Sequence, residues 1–143
     1  MEKGYTIAQT CHSSLIYYTI FMIKELLLVG TGSFIGGAAR YAISLMMRQT
    51  THGFPWATFA VNIAGCLLIG LIWGAASRHN TLPPNVVLFL TTGLCGGFTT
   101  FSTFSKECIS LLQTGSYMTF TLYVIGSVVL GILAVAAGYA VGK

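Results

Sequence analysis

Three long stretches of this chain contain no charged residue, and they constrain its fold more than any other feature. Asp, Glu, Lys and Arg are all missing from residues 49–77, 79–105 and 108–142. Each stretch exceeds the roughly 20 apolar residues that an α-helix needs to cross the hydrocarbon of a bilayer. A fourth apolar stretch runs from Leu26 to about Met47, interrupted by Arg40. We therefore predict an all-α membrane protein with four transmembrane helices.

The composition supports this class and excludes others. Only 7% of the residues are charged, against about 25% in a soluble domain. The formal net charge of +4 is spread thinly and includes no basic run, so nucleic acid is not an expected partner. The four cysteines are widely spaced, and the three histidines lie apart from one another. No Cys/His metal spacing or nucleophile–base pair can be built from them, and the chain is predicted not to be an enzyme.

The segment from Gly93 to Ser105 is unusual within an otherwise apolar stretch. Paired glycines are followed by five Thr or Ser residues, interleaved with three phenylalanines. Lipid offers no hydrogen bonds, so a spanning helix must satisfy its backbone internally. A break in such a helix is expected to face an ion, a substrate or a partner chain. We predict a break in the third helix around Gly96 and Gly97, and we expect the function to lie there.

The chain divides into two unequal parts. Residues 1–21 mix polar and apolar side chains and are predicted to be a poorly defined extension, with a peripheral interfacial segment as the alternative. Residues 22–143 are predicted to form the four-helix transmembrane domain. Proline at positions 55 and 84 suits the first turns of the second and third helices. The short connections make sequential helices antiparallel.

The positive charges flanking the helices are balanced between the two sides of the membrane. They are Lys24, Arg78 and Lys143 on one side, joined by Lys3 if the extension stays there, and Arg40, Arg48 and Lys106 on the other. Because Lys and Arg set the orientation of membrane proteins, a balanced chain can insert either way. We favour an antiparallel homodimer, since four helices alone hardly enclose a polar pathway. A weakly oriented monomer or a parallel oligomer is the alternative.

Two polar positions and a phenylalanine pair are candidates for a pathway. Asn62 could donate to an anion or simply join helices, and it lies at a similar depth to Arg40. Phe101 and Phe104 adjoin on one helical face. Their ring edges carry positive potential, although packing or lipid contact is the commoner use of Phe. Glu107 falls toward the same face as Asn62, where a polar vestibule is plausible.

The last helix carries a stripe of hydroxyl side chains at spacings of three and four, namely Ser116, Thr119, Tyr123 and Ser127. These could donate to a moving ion or bond back to their own helix carbonyls. No acidic residue lies in the middle of any span. Since a proton-coupled transporter needs a titratable group at depth, this argues against that class.

Three segments resemble the signature segments of the CrcB/Fluc family of fluoride channels. They are Gly36–Tyr41, Phe59–Gly65 and Gly93–Phe104. The likeness covers roughly residues 24–141, and its third segment is the most specific. It implies passive export of fluoride from the cytoplasm, across the bacterial cytoplasmic (inner) membrane, through two pores of an antiparallel, dual-topology homodimer. Sequence physics alone does not separate fluoride from chloride.

The resemblance also assigns roles to residues. Each pore would be lined by Asn62, Phe101 and Phe104, the two Phe coming from one subunit and the Asn from the other. The hydroxyl donors would be Ser102, Thr103, Tyr123 and Ser127, and the vestibule would hold Arg40 and Glu107. One structural sodium ion would lie on the dimer axis, with the backbone carbonyls of Gly96 and Thr99 as its candidate ligands.

Two other functions compete with this one. Small four-helix, proton-coupled exporters of cationic drugs have a similar size, but they require an embedded acid in the first helix. Here that helix offers only Glu25, at its very start. A non-transporting scaffold protein is the second rival. The polar break in the third helix would then destabilise the protein without serving a function.

Overall fold

All of the secondary structure described in this computed structural model is helical. The structure describes residues 2–47, 53–78 and 82–143, with side chains from residue 16 onward. Its elements are α1 (Glu2–Met47), α2 (Trp56–Ser77), α3 (Pro84–Leu88), a π-helical segment (Phe89–Cys95), α4 (Gly96–Phe98), α5 (Phe101–Gln113) and α6 (Tyr117–Gly142). Arg48, counted in the charge balance above, lies outside the described residues.

Four stretches are long and apolar enough to cross a membrane. They are Ile16–Met47, Trp56–Ser77, Pro84–Gln113 and Tyr117–Gly142. The prediction of an all-α, multi-pass membrane protein with four spanning helices is therefore confirmed. Large apolar side chains stay exposed on the surface, among them Phe34 and Ile132, as expected for a protein whose solvent is lipid.

The first helix is longer than the hydropathy pattern predicts. It begins at Glu2 and continues without interruption for 46 residues, whereas the apolar pattern places its start near Leu26. No proline occurs between residues 2 and 47. The helix can therefore continue on the N-terminal side of the Lys24–Glu25 pair. The separate role expected for residues 1–21 stays a prediction.

The third stretch changes its backbone conformation four times. α3 has Pro84 in its first turn, where the missing N–H costs nothing. The chain is then π-helical from Phe89 to Cys95 and returns to an α-turn that ends at Phe98. Thr99 and Thr100 are extended, with φ/ψ of −78°/156° and −147°/117°. α5 begins at Phe101 and completes the stretch.

Glycines bring α1 into backbone contact with the third stretch. A Cβ atom added at Gly36 would collide with the carbonyl oxygen of Leu94, and one added at Gly97 would collide with the backbone of Ser33. Gly32 and Gly93 approach each other in the same way. These glycines occur four apart on each helix, and small residues at that spacing allow close approach of spanning helices.

Glycines also bring α2 and α6 into backbone contact. Added Cβ atoms at Gly70 and Gly138 would collide with backbone carbonyls of the facing helix, and the same holds at Gly142. α2 and α6 consequently lie in backbone contact where Gly70 and Gly74 face Gly138 and Gly142. Glycines four apart therefore pack the helices of both pairs closely.

Candidate functional site

The centre of the site is a pair of hydrogen bonds between α2 and the extended residue Thr100. The Asn62 Nδ2 atom donates to the Thr100 carbonyl oxygen at 3.2 Å, and the Thr100 N–H donates to Asn62 Oδ1 at 2.8 Å. The carboxamide thus satisfies both backbone groups of Thr100, which an extended residue cannot pair within its own helix. A carboxamide has two N–H donors, so this pairing commits one of them.

The Thr100 side chain organises a cluster of hydroxyls at the start of α5. Its Oγ1 atom accepts a hydrogen bond from the Thr103 backbone N–H at 3.3 Å, capping the helix. The same atom lies 3.1 Å from Thr103 Oγ1 and 3.3 Å from Ser102 Oγ. The predicted hydroxyl donors Ser102 and Thr103 are therefore brought together beside the Asn62 carboxamide.

Because Thr99 and Thr100 are extended, two backbone carbonyls lose the N–H groups that would bond them in a continuous helix. In an uninterrupted α-helix, the Thr100 N–H would bond the Gly96 carbonyl, and the Thr103 N–H would bond the Thr99 carbonyl. Here the first donates to Asn62 Oδ1 and the second to Thr100 Oγ1. The carbonyls of Gly96 and Thr99 thus lose their helical partners and become free to accept from another group.

Arg40 lies beside this segment. Its Nε atom donates to the Gly97 carbonyl oxygen at 3.3 Å, replacing the helical donor that Phe101 would provide in a continuous helix. The positive charge of Arg40 therefore lies next to the extended residues. In the part of the chain that the structure describes, Arg40 and Glu107 form no ion pair with each other.

Glu107 is held by two hydroxyls from two other helices. Thr58 Oγ1 donates to one carboxylate oxygen at 2.8 Å, and the Tyr123 hydroxyl donates to the other at 2.7 Å. Thr58 and Tyr123 are both buried. Hydrogen bonds to a carboxylate are stronger than neutral ones, so this node ties α5 to α2 and α6.

The two phenylalanines of the predicted pathway occupy different surroundings. Their ring centroids are 5.8 Å apart. The Phe104 ring packs 5.0 Å from that of Tyr123, within the core cluster that includes Cys108 and Leu111. Phe101 is 79% exposed. One ring is thus fixed by the core of the chain, while the other projects from its surface.

The hydroxyl stripe of α6 separates into two environments. Tyr123 is fully buried and its hydroxyl is committed to Glu107. One turn further, the Ser127 Oγ atom is buried and has no hydrogen-bond partner among the described residues. A buried hydroxyl without a partner is unusual, and Ser127 therefore retains a donor that no other described residue uses.

Two residues of the site were missed by sequence reasoning. Thr58 lies four residues before Asn62 and so shares its helical face, a spacing that could have drawn attention to it. Thr100 lies three residues before Thr103, the separation of a helix cap from the N–H it satisfies. Both spacings can be read from the sequence. The other partners of these residues, Glu107 for Thr58 and Asn62 for Thr100, are distant in the sequence.

The likeness to known proteins bears on the same region. The sequence profile of "CrcB-like protein, Camphor Resistance (CrcB)" matches residues 27–139. The chain belongs to the CrcB-like family. The matched range contains every residue of the site described above, from Arg40 to Ser127, while residues 1–26 fall outside it.

Curated relatives of this CrcB-like chain carry one name. A protein of Phocaeicola vulgatus called "Fluoride-specific ion channel FluC" is 52% identical over 117 residues, covering 81% of this chain and 96% of the relative. Proteins of the same name from Azobacteroides pseudotrichonymphae and Bacteroides fragilis are 43% and 45% identical, covering 95% and 98% of those relatives. These relatives are channels, so the prediction that the chain is not an enzyme is confirmed.

Proposed function

We propose that this chain is a fluoride-selective channel that lets fluoride leave the cytoplasm passively across the bacterial cytoplasmic membrane. The observation that carries the proposal is the group of donors at the extended residues, where the Asn62 carboxamide adjoins the hydroxyls of Thr100, Ser102 and Thr103. Fluoride is small and strongly hydrated, and a pathway must replace its water with such donors. The name shared by the curated relatives supports fluoride as the ion.

The functional unit in this proposal is an antiparallel, dual-topology homodimer with two pores. A single chain leaves the ring of Phe101 79% exposed, and the charges flanking its helices favour neither orientation. Phe101 and Phe104 of one chain would line each pore together with Asn62 of the partner subunit. The hydroxyls of Tyr123 and Ser127 would belong to the polar side of this pathway, with Arg40 and Glu107 toward the vestibule.

One structural sodium ion is proposed on the axis of the dimer. The carbonyls of Gly96 and Thr99 fit it, because both have lost their helical donors and hard cations prefer oxygen ligands. When bound, sodium would neutralise the carbonyl dipoles where the two chains meet. Among the described residues, no group of three or more His, Cys, Asp or Glu could hold a metal ion.

The proposal is tested by anion efflux from liposomes containing the purified full-length chain. Loaded vesicles are expected to release fluoride through the protein and to retain chloride, as followed with ion-selective electrodes. Vesicles without protein are the control. Exchange of a cationic drug for protons without fluoride release would show instead that the chain is a multidrug exporter, and comparable chloride release would refute selectivity.

A further inference from the structure

α2 has a notch at Gly65, which receives the side chain of Thr99. Gly65 is buried, and a Cβ atom added there would collide with the Thr99 methyl group, Cγ2. The same Cβ would meet the Phe98 ring at 3.5 Å, which is an ordinary contact. Gly65 lies three residues after Asn62 and therefore on the same side of α2. The close approach of α2 to Thr99 thus depends on the missing side chain of Gly65.

The Thr99 side chain is fixed from two directions. Its methyl group lies against Gly65, and its Oγ1 atom donates to the Cys95 carbonyl oxygen at 2.9 Å. The Thr99 backbone N–H donates to the same oxygen at 2.9 Å. A β-branched side chain is stiff about its first torsion angle, and here both of its Cβ substituents have partners. The side chain and the N–H group of Thr99 are therefore held in place.

Asn62 fixes the other end of the peptide unit that joins Thr99 to Thr100. The Thr100 N–H donates to Asn62 Oδ1 at 2.8 Å. This peptide bond is trans, and in a planar trans peptide the C=O points opposite to the N–H. Because the N–H points toward α2, the Thr99 carbonyl oxygen points away from α2. Gly65 and Asn62 together set the direction of this carbonyl, which has lost its helical donor.

We propose that Gly65 is a positioning residue for the structural sodium ion, because its notch lets α2 hold the Thr99 carbonyl oxygen in the direction that the ion requires. This inference rests on the sodium site of the proposed function. Groups that orient the ligands of a metal contribute about tenfold or more to its affinity. A larger residue at position 65 would push Thr99 away from α2 and turn its carbonyl, although no ligand atom would be removed.

The experiment measures how the thermal unfolding midpoint of the purified full-length chain in detergent depends on sodium. Sodium chloride replaces N-methyl-D-glucamine chloride at constant ionic strength, and the rise of the midpoint gives the dissociation constant of sodium. Gly65→Ala is expected to raise this constant by about tenfold. A residue that only packs helices would lower the midpoint equally at every sodium concentration. An unchanged dissociation constant in Gly65→Ala would therefore overturn the proposal.

Thr99→Ser tests the same contact without introducing a collision. It removes the methyl group from the notch and keeps a hydroxyl for the Cys95 carbonyl. It is expected to raise the dissociation constant of sodium by about threefold, because serine is less restricted about its first torsion angle than threonine. If Gly65→Ala failed to fold, an unchanged constant in Thr99→Ser would by itself overturn the proposal.

The double variant Gly65→Ala with Thr99→Ser moves one methyl group from residue 99 to residue 65. Without the Thr99 methyl group, the nearest atom to the new Cβ is Phe98 Cδ1, at 3.5 Å. Changes that conserve volume are tolerated best, so this variant should bind sodium within about twofold of the unmodified chain. A double variant that binds sodium as weakly as Gly65→Ala would show that the collision with Thr99 is not the cause, and the proposal would be wrong.

Gly131→Ala on α6 is the matched control, because its added Cβ would meet only Cys66 Sγ, at 3.5 Å. It should leave the dissociation constant of sodium unchanged, and an effect equal to that of Gly65→Ala would contradict a specific role for the notch. An unmodified chain whose midpoint does not respond to sodium would refute the sodium site of the proposed function and this inference with it. A sodium response that is the same in the unmodified chain and in Gly65→Ala would refute only the role of Gly65.

Discussion

At the scale of single residues, side chains replace the backbone bonds that the extended residues give up. Asn62 supplies both a donor and an acceptor to Thr100, Thr100 supplies an acceptor to Thr103, and Arg40 donates to the Gly97 carbonyl. A non-helical backbone within a membrane span needs such partners, because lipid offers no hydrogen bonds. The carbonyls of Gly96 and Thr99 receive no such replacement, and a bound cation could interact with their oxygens.

Replacement of Phe101 or Phe104 by Ile is expected to abolish fluoride efflux while the dimer remains folded. Ile keeps apolar bulk but has no ring edge of positive potential. We expect a loss of at least about tenfold, equivalent to about 1.4 kcal/mol of barrier, in the liposome assay. Phe34→Ile is the matched control, since Phe34 is 78% exposed. Undiminished flux in both variants would remove the pair from the pathway.

The Tyr123 hydroxyl is expected to contribute to stability through Glu107. Tyr123→Phe removes a 2.7 Å hydrogen bond to a carboxylate and should destabilise the fold by about 1.5–3 kcal/mol. In a double-mutant cycle with Glu107→Gln, measured by thermal unfolding in detergent, the two effects should be non-additive.

Tyr117→Phe is the control for this cycle, because Tyr117 is 66% exposed, and it should show additivity with Glu107→Gln. A Tyr123→Phe variant of full stability with reduced fluoride efflux would instead assign the hydroxyl to the pathway alone.

At the scale of the elements, close glycine contacts fix the position of the extended residues. α1 lies against the π-helical segment and α4 through Gly32, Gly36, Gly93 and Gly97, immediately before the chain extends at Thr99. α2 presents Asn62 to the same place. The extended residues are thus held between two helices, one contributing backbone contact and the other hydrogen bonds.

Gly36→Ala is expected to destabilise the protein by about 1–3 kcal/mol, the usual cost of overpacking. The new methyl group would collide with the backbone at Leu94 and Phe98, and backbone atoms cannot move aside as a side chain can. The readout is the midpoint of thermal unfolding in detergent.

Gly30→Ala on the same helix is the control for Gly36→Ala, because its added Cβ meets nothing within 4 Å. It should be neutral or slightly stabilising. Equal effects of the two substitutions would show that α1 does not pack against the third stretch in this way.

At the scale of the whole molecule, the proposed channel needs a second chain. Its polar cluster and the exposed ring of Phe101 lie at its surface, and its apolar exterior requires lipid or a second chain. The near equality of the positive charges on its two sides allows both orientations in one membrane. These features together favour an antiparallel pair.

Dual topology is tested with a protease-cleavable tag placed after Lys143. In right-side-out vesicles, about half of the tags should be cleaved from outside, because neither side has an excess of Lys and Arg. Adding a charge with Gln113→Lys, in the connection opposite the carboxyl terminus, should shift this fraction strongly in one direction. A tag that is entirely protected or entirely cleaved in the unmodified chain would refute dual topology.

Sequence reasoning predicted the spans better than the site. The starts of α2 and α3 and the extent of α6 follow from hydropathy, proline and charge, which act locally. The pattern could not show that α1 continues back to Glu2, because a helix that leaves the apolar region no longer has a hydropathy signal. Nor could it show the π-helical segment Phe89–Cys95, which packs against α1.

The sequence by itself determined the membrane class, the four spans, the family resemblance and the polar segment after Gly93, because each is written in consecutive residues. Only the tertiary structure decided that Asn62 bonds Thr100 and that Glu107 accepts from Thr58 and Tyr123. These contacts join residues 38, 49 and 16 positions apart. A hydroxyl or carboxamide on an apolar helix must find a partner, but the packing of the helices selects which one.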